Sequence, residues 1–485
     1  MTDQRGKLDE TDLLVTRDYI GGEWIDGAAK PIEVDDPFTL EVFAEVASVG
    51  ETGAQRAVDA ASNAFPAWAG KTPGERGAIL RRWFELIEVH REDLARLITR
   101  ENGKTFREAR GEVDYANQFM EFYAAEATRV IGEIIPAPTP GRRLLAAPEP
   151  LGVAVAITPW NFPLAMLTRK VAPALAAGCT MVAKPAALTP LTALAFTRLG
   201  EEAGVPAGVF NMVTGDSSVI GKVLTASPVV RKFSFTGSTP VGIRLAEQCS
   251  VTMKRMSLEL GGNAPLLIFD DADLDTAVET AMVAKFRNSG QSCIAANRIY
   301  VQNGIRDRFL SAFAEKVDAM SAGDGFDEGN DIGPLIDSRA VDKVDDHRED
   351  ALSRGAHCLA GGASPGGRIA LPTLLADVPA NAKLAEEETF GPLAGAICFD
   401  TVEHGLELAN DTPFGLAAYL CCSDPATIAH VSRHLQTGMV GINTGLISTA
   451  HAPFGGVKMS GMGKEGSHHG IEEYLDYKYI CHAGL

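Results

Sequence analysis

Apolar positions along this chain follow two spacings, and the switch between them outlines the fold. Early on the period is helical. Thr72-Pro73-Gly74-Glu75 reads as a capped start, with Pro73 at the first helical position and Glu75 placed to close a capping box. Ile79, Leu80, Trp83, Phe84 and Ile87 then recur at helical spacing. They predict one helix running to about Arg100, where Asn102-Gly103 breaks it. A second helix holds Tyr115, Phe119, Phe122 and Tyr123. Ahead of both, residues 1–50 read as an irregular entry with short strands, Tyr19, Ile20 and Trp24 flanking Gly21-Gly22. Five prolines between residues 133 and 150 predict a surface excursion or an edge hairpin.

Beyond Leu151 short apolar runs alternate with helical patterns. VAVAIT is followed by PLAMLTRKVAPALAAG, then TMVAKPA and a helix near Leu191 to Ala203. VFNMVTG leads to a helix near Ser217 to Thr225, and KFSFTG to one from about Thr239 to Cys249. This repeated strand–turn–helix order argues a mostly parallel sheet covered by helices. The pattern restarts at Met256, with LLIF and an acid-opened helix DDADLDTAVETAMVAKF, and continues through Ile299-Tyr300-Val301, Ala360, Ala396-Ile397 and Tyr419-Leu420. That is a second α/β unit, about 257–440. The tail from Tyr474 to Ile480 alternates weakly and is expected to add a strand to another subunit.

Composition narrows the function. The chain has 485 residues, long enough for more than one core, and its 49 glycines suit many strand-to-helix turns. A net charge of -19 argues against nucleic acid or an anionic membrane as partner. No run of about 18 apolar residues predicts a membrane span. The N-terminal MTDQRGKLDETD has no apolar core or basic amphipathic pattern, so no leader is expected. Eight scattered cysteines resemble the free-thiol usage of a reducing compartment, which predicts a cytoplasmic location. Cys179, Cys249 and Cys398 read as core. No metal is expected. The histidines form no HExxH pattern, His468-His469 reads as a surface loop, and DDADLD lacks the glycine and glutamate of a calcium loop.

The chemistry-bearing residues are few. Cys293 follows Gly290-Gln291-Ser292, polar company that does not read as core. A thiol there is a candidate nucleophile, with backbone N–H groups and the amide of Asn161 able to hold an oxyanion. Glu259 alternates with Leu258 and Leu260 and so points away from them. It could activate water against a thioester, although on its own such a glutamate reads as solvent-facing. Lys184 ends a candidate central strand, where open α/β sheets bind ligands. Gly237 and Gly242 bracket Ser238 at a strand-to-helix turn, leaving N–H groups for phosphate. Arg169 and Arg287 flank the Asn161 and Cys293 segments and could clamp a carboxylate, with pairing to an internal acid as the competing role.

TPWNFP, VAKPA, FTGS, LELGGNAP, GQSC, EETFGP and PFGGVKMSG in this order resemble the aldehyde dehydrogenase superfamily, from YIGGEW to KYICHAGL. Within it, NFPLAMLTRKVAPALAAGCT, KFRNSGQSC and GINTGLIS are most similar to the succinate-semialdehyde dehydrogenases. The resemblance implies a Rossmann-type cofactor domain (1–128 and 148–256), an α/β catalytic domain (257–455), a small β oligomerisation element (129–147 and 470–485) and a returning segment (456–469). It implies oxidation of succinate semialdehyde to succinate, with glutarate semialdehyde or another carboxylated aldehyde as the alternative, in a homodimer or homotetramer.

The same resemblance assigns Cys293 as nucleophile, Glu259 as the base for hydrolysis and Asn161 as the side-chain half of the oxyanion hole. It assigns Lys184 to the adenosine ribose, Ser238 to the pyrophosphate, Glu388 to the nicotinamide ribose, Phe390 to the nicotinamide end and Trp160 to the lining of the cofactor channel. Thr158, Pro159, Ala186, Ala187 and Gly215 join the cofactor set, as do Phe235, Gly237, Leu260 and Gly261. Arg169, Arg287, Ser448 and Phe162 fall to the substrate. Two departures carry expectations. Ala187 stands where NAD-preferring members carry a glutamate, so NADP is expected to be preferred, with NAD as the alternative. Ala295 stands where some semialdehyde enzymes carry a second cysteine, so no local Cys293 disulfide is expected. The rival classes are a thiol hydrolase or acyltransferase without redox chemistry, and a binding protein of enzyme origin.

Overall fold

The computed structural model describes residues 6–484; of the polar N-terminal stretch residues 1–5 lie outside the described residues, as does Leu485. Two sheets carry the architecture. In the first, eight strands run in the order Gly461–Met462, Arg255–Glu259, Val230–Thr236, Val153–Ile157, Thr180–Lys184, Phe210–Met212, Asp18–Ile20, Glu23–Ile25. Its five central strands are parallel, as the alternation of apolar runs and helices predicts. Val153–Ile157 and Thr180–Lys184 are buried almost throughout because helices cover both faces, which is why their sequences are continuously apolar rather than alternating.

The second sheet has seven strands, in the order His357–Ala360, Thr373–Ala376, Leu393–Phe399, Ala296–Gln302, Ala264–Ile268, Ala417–Cys421, Met439–Ile442. The strand Arg255–Glu259 belongs to the first sheet, and the chain crosses to the second at Leu260–Asn263. The chain then returns. After Met439–Ile442 it runs back to the first sheet, where Gly461–Met462 pairs with Leu258 and Glu259.

The proline-rich excursion forms the strands Glu133–Ile135 and Arg142–Pro150. The tail, Leu475–Ala483, pairs antiparallel with all of Arg142–Pro150. The expected partner in another subunit is therefore found within the chain, which leaves Leu475–Ala483 as an edge of this three-stranded sheet.

Local signals set several helices. Thr72 and Glu75 form the reciprocal capping box at the start of Pro73–Val89. That helix stops at His90, and Arg91–Asn102 is a separate helix. The break swings Leu94, Leu97 and Ile98 into the core, a tertiary demand that apolar spacing cannot express. Ala165–Ala177 is buried along its whole length, as its apolar sequence requires, and ends on a left-handed Gly178. Among the described residues no helix is long and apolar enough to cross a membrane.

Candidate active site

The parallel strands of the first sheet end on one side, and their carboxyl ends carry most of the predicted residues. Thr158 to Asn161 follow Val153–Ile157, Lys184 closes Thr180–Lys184, and Gly237-Ser238 follow Val230–Thr236. The Thr158 N–H donates to the Lys184 carbonyl at 3.1 Å, so these ends are tied together. Facing them, across the crossover, lie Cys293 and the segment with Glu388 and Phe390.

Glu259 is 2% exposed, not solvent-facing, and neither carboxylate oxygen has a hydrogen-bond partner. Alternation along the strand sets its direction, but the returning segment covers it. Gly455 approaches so closely that a Cβ there would lie 2.8 Å from Oε1, in a left-handed conformation that itself favours glycine. Burial, and then the Glu465 charge, push the Glu259 carboxyl well above its usual range, against Arg169, Lys170 and Lys464. An unpartnered buried carboxyl of this kind is a stronger base than a solvated one.

Cys293 does not begin a helix. It follows a 3-10 turn, Arg287–Gly290, in which Asn288, Ser289 and Gly290 all have positive φ. Gly290 is required there, because a Cβ would collide with the Gly391 carbonyl. The turn folds the Gln291 carbonyl toward Asn161, whose Nδ2 donates to it at 3.0 Å. An amide nitrogen has two hydrogens, so one remains for an oxyanion. Burial pushes the Cys293 thiol up to about 12, with Arg169 opposing. The thiol is therefore protonated at rest.

Two cavities meet at Cys293 and Met166. The larger, about 630 Å³, is lined by Pro159, Trp160, Asn161, Gly237, Ser238, Glu259, Leu260, Gly261, Glu388 and Phe390 among others. The smaller, about 280 Å³, is lined by Tyr115, Phe162, Arg169, Arg287, Ser448 and Phe454. All four residues predicted for the substrate fall in it. They differ in kind. Arg169 is 1% exposed and pairs with Glu465 at 2.9 Å, so the competing internal acid exists. Lys170 bonds the same carboxylate. The Arg287 guanidinium instead lies 5.2 Å from the Phe162 ring centroid and 5.9 Å from that of Tyr115, and forms no ion pair among the described residues.

The larger cavity carries groups of the kind that the phosphates and one ribose of a dinucleotide need. Ser238 is the N-cap of Thr239–Ser250, yet its hydroxyl makes no capping bond, so hydroxyl and helix amides both face outward for phosphate. Gly237 lies flat on Phe235, where a Cβ would collide with the ring. Glu388 accepts the Gly262 N–H at 3.1 Å through one oxygen. Burial pushes its carboxyl up to about 7, with the Gly262 bond and two lysines opposing. Trp160 and Phe390 meet edge to face, centroids 5.5 Å apart. Thr158, Lys184, Ala186, Ala187, Gly215 and Phe235 do not line this cavity. Lys184 is buried at its strand end, its Nζ donating to the Pro185 carbonyl at 3.1 Å, and burial lowers its ammonium to about 8. Ala186 and Ala187 are half-buried just beyond it.

Tyr115, Met166 and Phe454 line the smaller cavity without having been singled out for a site. Tyr115 shares helical spacing with Phe119, which marks a buried face and not a pocket. Cys179 and Cys249 are core, but Cys398 is half-buried and its sulfur accepts the Arg306 Nε–H at 3.1 Å. His468 and His469 are exposed, on the short helix Ser467–Glu472 and not in a loop.

A sequence model described as the aldehyde dehydrogenase family matches residues 24–480. The chain is 52% identical to the NADP(+) succinate-semialdehyde dehydrogenase GabD of Escherichia coli (strain K12), covering 98% of this chain and 99% of that one. It is 51% identical to a glutarate-semialdehyde dehydrogenase of Pseudomonas putida (strain KT2440), over 98% of this chain and 99% of that one. A crystal structure of an aldehyde dehydrogenase from Brucella melitensis biovar abortus 2308 superposes with a TM-score of 0.98 at 53% identity, covering 99% of both chains.

Proposed function

Because the chain belongs to the aldehyde dehydrogenase family, we propose that it oxidises succinate semialdehyde to succinate, with NADP or NAD accepting the hydride. The observation that carries this is the position of Cys293. Its side chain closes both cavities, with Glu259 and Asn161 in the one suited to a dinucleotide and an uncommitted Arg287 in the other.

In this reading Arg287 and Ser448 hold the substrate carboxylate and Phe162 packs along its short chain. That directs the aldehyde carbon to Cys293. The sulfur adds to the carbon and the thiol proton is lost to solvent water, leaving the negative charge on the former aldehyde oxygen. The free hydrogen of Asn161 Nδ2 and the Cys293 backbone N–H bond the resulting oxyanion. The dinucleotide, when bound, takes the hydride from that carbon. Ser238 and the Gly237 turn would hold its pyrophosphate, Lys184 its adenosine ribose and Glu388 its second ribose, with Trp160 and Phe390 at the nicotinamide. A thioester on Cys293 remains. Glu259 then takes a proton from water, whose oxygen displaces the sulfur and releases the acid.

Ala187 supports a preference for NADP, since it leaves room and no negative charge beside Lys184. Glutarate semialdehyde is the second substrate reading, favoured by the equally similar relative that bears its name. One methylene is worth only ~1–3 kcal/mol of discrimination. We assign cofactor binding to residues 1–128 and 148–256, catalysis to 257–455 and subunit contact to 129–147 and 470–485, with 456–469 returning between them. Ile134, Tyr477 and Tyr479 stand exposed on the small sheet, which supports a homodimer or homotetramer built there. A cytoplasmic location accords with eight free cysteines.

The test is NAD(P)H formation from succinate semialdehyde, glutarate semialdehyde and butyraldehyde. Turnover of the two carboxylated substrates well above butyraldehyde is expected. Acid release without NAD(P)H would replace the reading with a thiol hydrolase.

A further inference from the structure

The loop that presents Asn161 is held from outside the two cavities. Lys104 follows the helix Arg91–Asn102 and is 1% exposed. Its Nζ donates to Glu112 Oε2 at 2.6 Å and to the Asn161 backbone carbonyl at 2.7 Å. The same ammonium lies 4.0 Å from the Phe162 ring centroid. Glu112 uses its other oxygen on the Leu164 and Ala165 N–H groups, at 2.9 and 3.3 Å, where the helix Ala165–Ala177 starts. One residue before Gly103, Asn102 Nδ2 donates to the Trp160 carbonyl at 3.0 Å. Asn288, in the left-handed turn before Cys293, gives Nδ2 to the Asn161 carbonyl at 2.9 Å and to the Gln291 carbonyl at 3.0 Å.

The Trp160 and Asn161 carbonyls and the Leu164 and Ala165 N–H groups are thus each held by a side chain. A buried ammonium is an expensive way to satisfy one carbonyl, and packed apolar residues in place of such a pair are commonly no less stable. What the ion pair supplies is direction. With the Asn161 carbonyl bonded on one side by Lys104 and on the other by Asn288, its peptide cannot rotate. The side-chain amide is then held on the Gln291 carbonyl, in the cavity that Cys293 also lines, before substrate arrives.

We propose that Lys104, with Glu112 as its counter-charge, is a positioning residue for the oxyanion site: it acts through the Asn161 peptide and not on the substrate. This rests on the reading of Asn161 as an oxyanion donor. Preorganised donors matter because the developing charge then needs no rearrangement of its surroundings. The prediction is a defect in forming the tetrahedral adduct and passing on its hydride. Cofactor affinity and thiol access should be left alone.

The experiment compares wild type, Asn161→Ala and the double variant Lys104→Met/Glu112→Gln. The double variant removes the donor to Asn161, while the amide oxygen introduced at position 112 keeps an acceptor for the Leu164 N–H. The measurements are the single-turnover burst of NADPH with succinate semialdehyde, NADP affinity, the rate of Cys293 alkylation by iodoacetamide, and Tm. The expected result for the double variant is a burst slowed about tenfold or more, with alkylation and NADP affinity within about twofold of wild type. An unchanged burst, or a burst that falls only in step with alkylation or NADP affinity, overturns the proposal. Full turnover by Asn161→Ala would instead overturn the oxyanion reading beneath it. If the double variant does not fold, Lys104→Arg, which keeps the buried charge but moves its donors, is read by the same criteria.

Discussion

Arg169 and Glu465 form an ion pair of 2.9 Å in which the side chains are only 1% and 5% exposed. Lys170 bonds the same carboxylate, and although burial works to raise it, Lys170 and Arg169 hold Glu465 below its usual range. The two arginines of the substrate cavity are therefore not equivalent. Arg169 is part of the buried frame behind Glu259, whereas Arg287 is free to meet an incoming anion.

The substitutions Arg287→Leu and Arg169→Leu should accordingly fail in different ways. Losing a charge-assisted hydrogen bond costs ~1.5–3 kcal/mol, so Arg287→Leu should raise KM for succinate semialdehyde by one to two orders of magnitude and leave butyraldehyde kinetics unchanged. Arg169→Leu leaves Glu465 with Lys170 as its one remaining cation of this pair and should destabilise the fold by ~1.5–3 kcal/mol. Steady-state kinetics and denaturant unfolding separate the two.

The resting thiol at Cys293 is pushed up to about 12, so its thiolate is scarce at neutral pH and increases with pH. Alkylation of Cys293 in the cofactor-free protein should quicken by about tenfold per pH unit from 7 to 10, without a plateau. Peptide mapping after brief iodoacetamide treatment follows this residue apart from the exposed Cys358 and Cys481. A plateau near pH 8 would contradict the environment described.

Glu388 titrates near neutrality because burial raises its carboxyl to about 7. Below that pH it is largely neutral, and above it ionised and better able to accept ribose hydroxyls. KM for NADP should therefore fall as pH rises from 6 to 8, by up to about tenfold per unit on the acid side. Glu388→Gln should remove the slope. A wild-type KM flat across this range would dissociate Glu388 from the cofactor.

Cofactor choice should turn on position 187. Ala187→Glu places a carboxylate where a 2′-phosphate would lie, and should lower kcat/KM for NADP by about tenfold to a hundredfold while sparing or improving NAD. A like-charge contact of ~1.4–3 kcal/mol corresponds to that range. Matched kinetics on both cofactors decide it, and a strong NAD preference in the wild type would refute the NADP assignment.

Local chemistry was legible in the sequence, and long-range covering was not. The capping box at Thr72 and Glu75 needs four consecutive residues, and the strand-to-helix turn at Gly237-Ser238 likewise announces itself. The direction of Glu259 followed from alternation, but its burial depends on Gly455, nearly two hundred positions away. Lys104, in the polar run Glu101-Asn102-Gly103-Lys104, was not singled out, because nothing nearby in sequence reveals Asn161 and Glu112 around it. The helix break at His90 and the guanidinium on Cys398 were hidden for the same reason. Each is decided by what packs from elsewhere.

The return of the chain from the second sheet to the first has a consequence for biosynthesis. A nascent polypeptide that has reached Ile442 holds the parallel strands of both sheets, yet lacks Gly455, Gly461 and Glu465 around Glu259. It also lacks the strand that closes the small sheet. Released early from the ribosome, such a product would expose an open seam and leave Glu259 without the segment that covers it. The last stretch of chain to be made is thus the one that gives this carboxyl its dry surroundings.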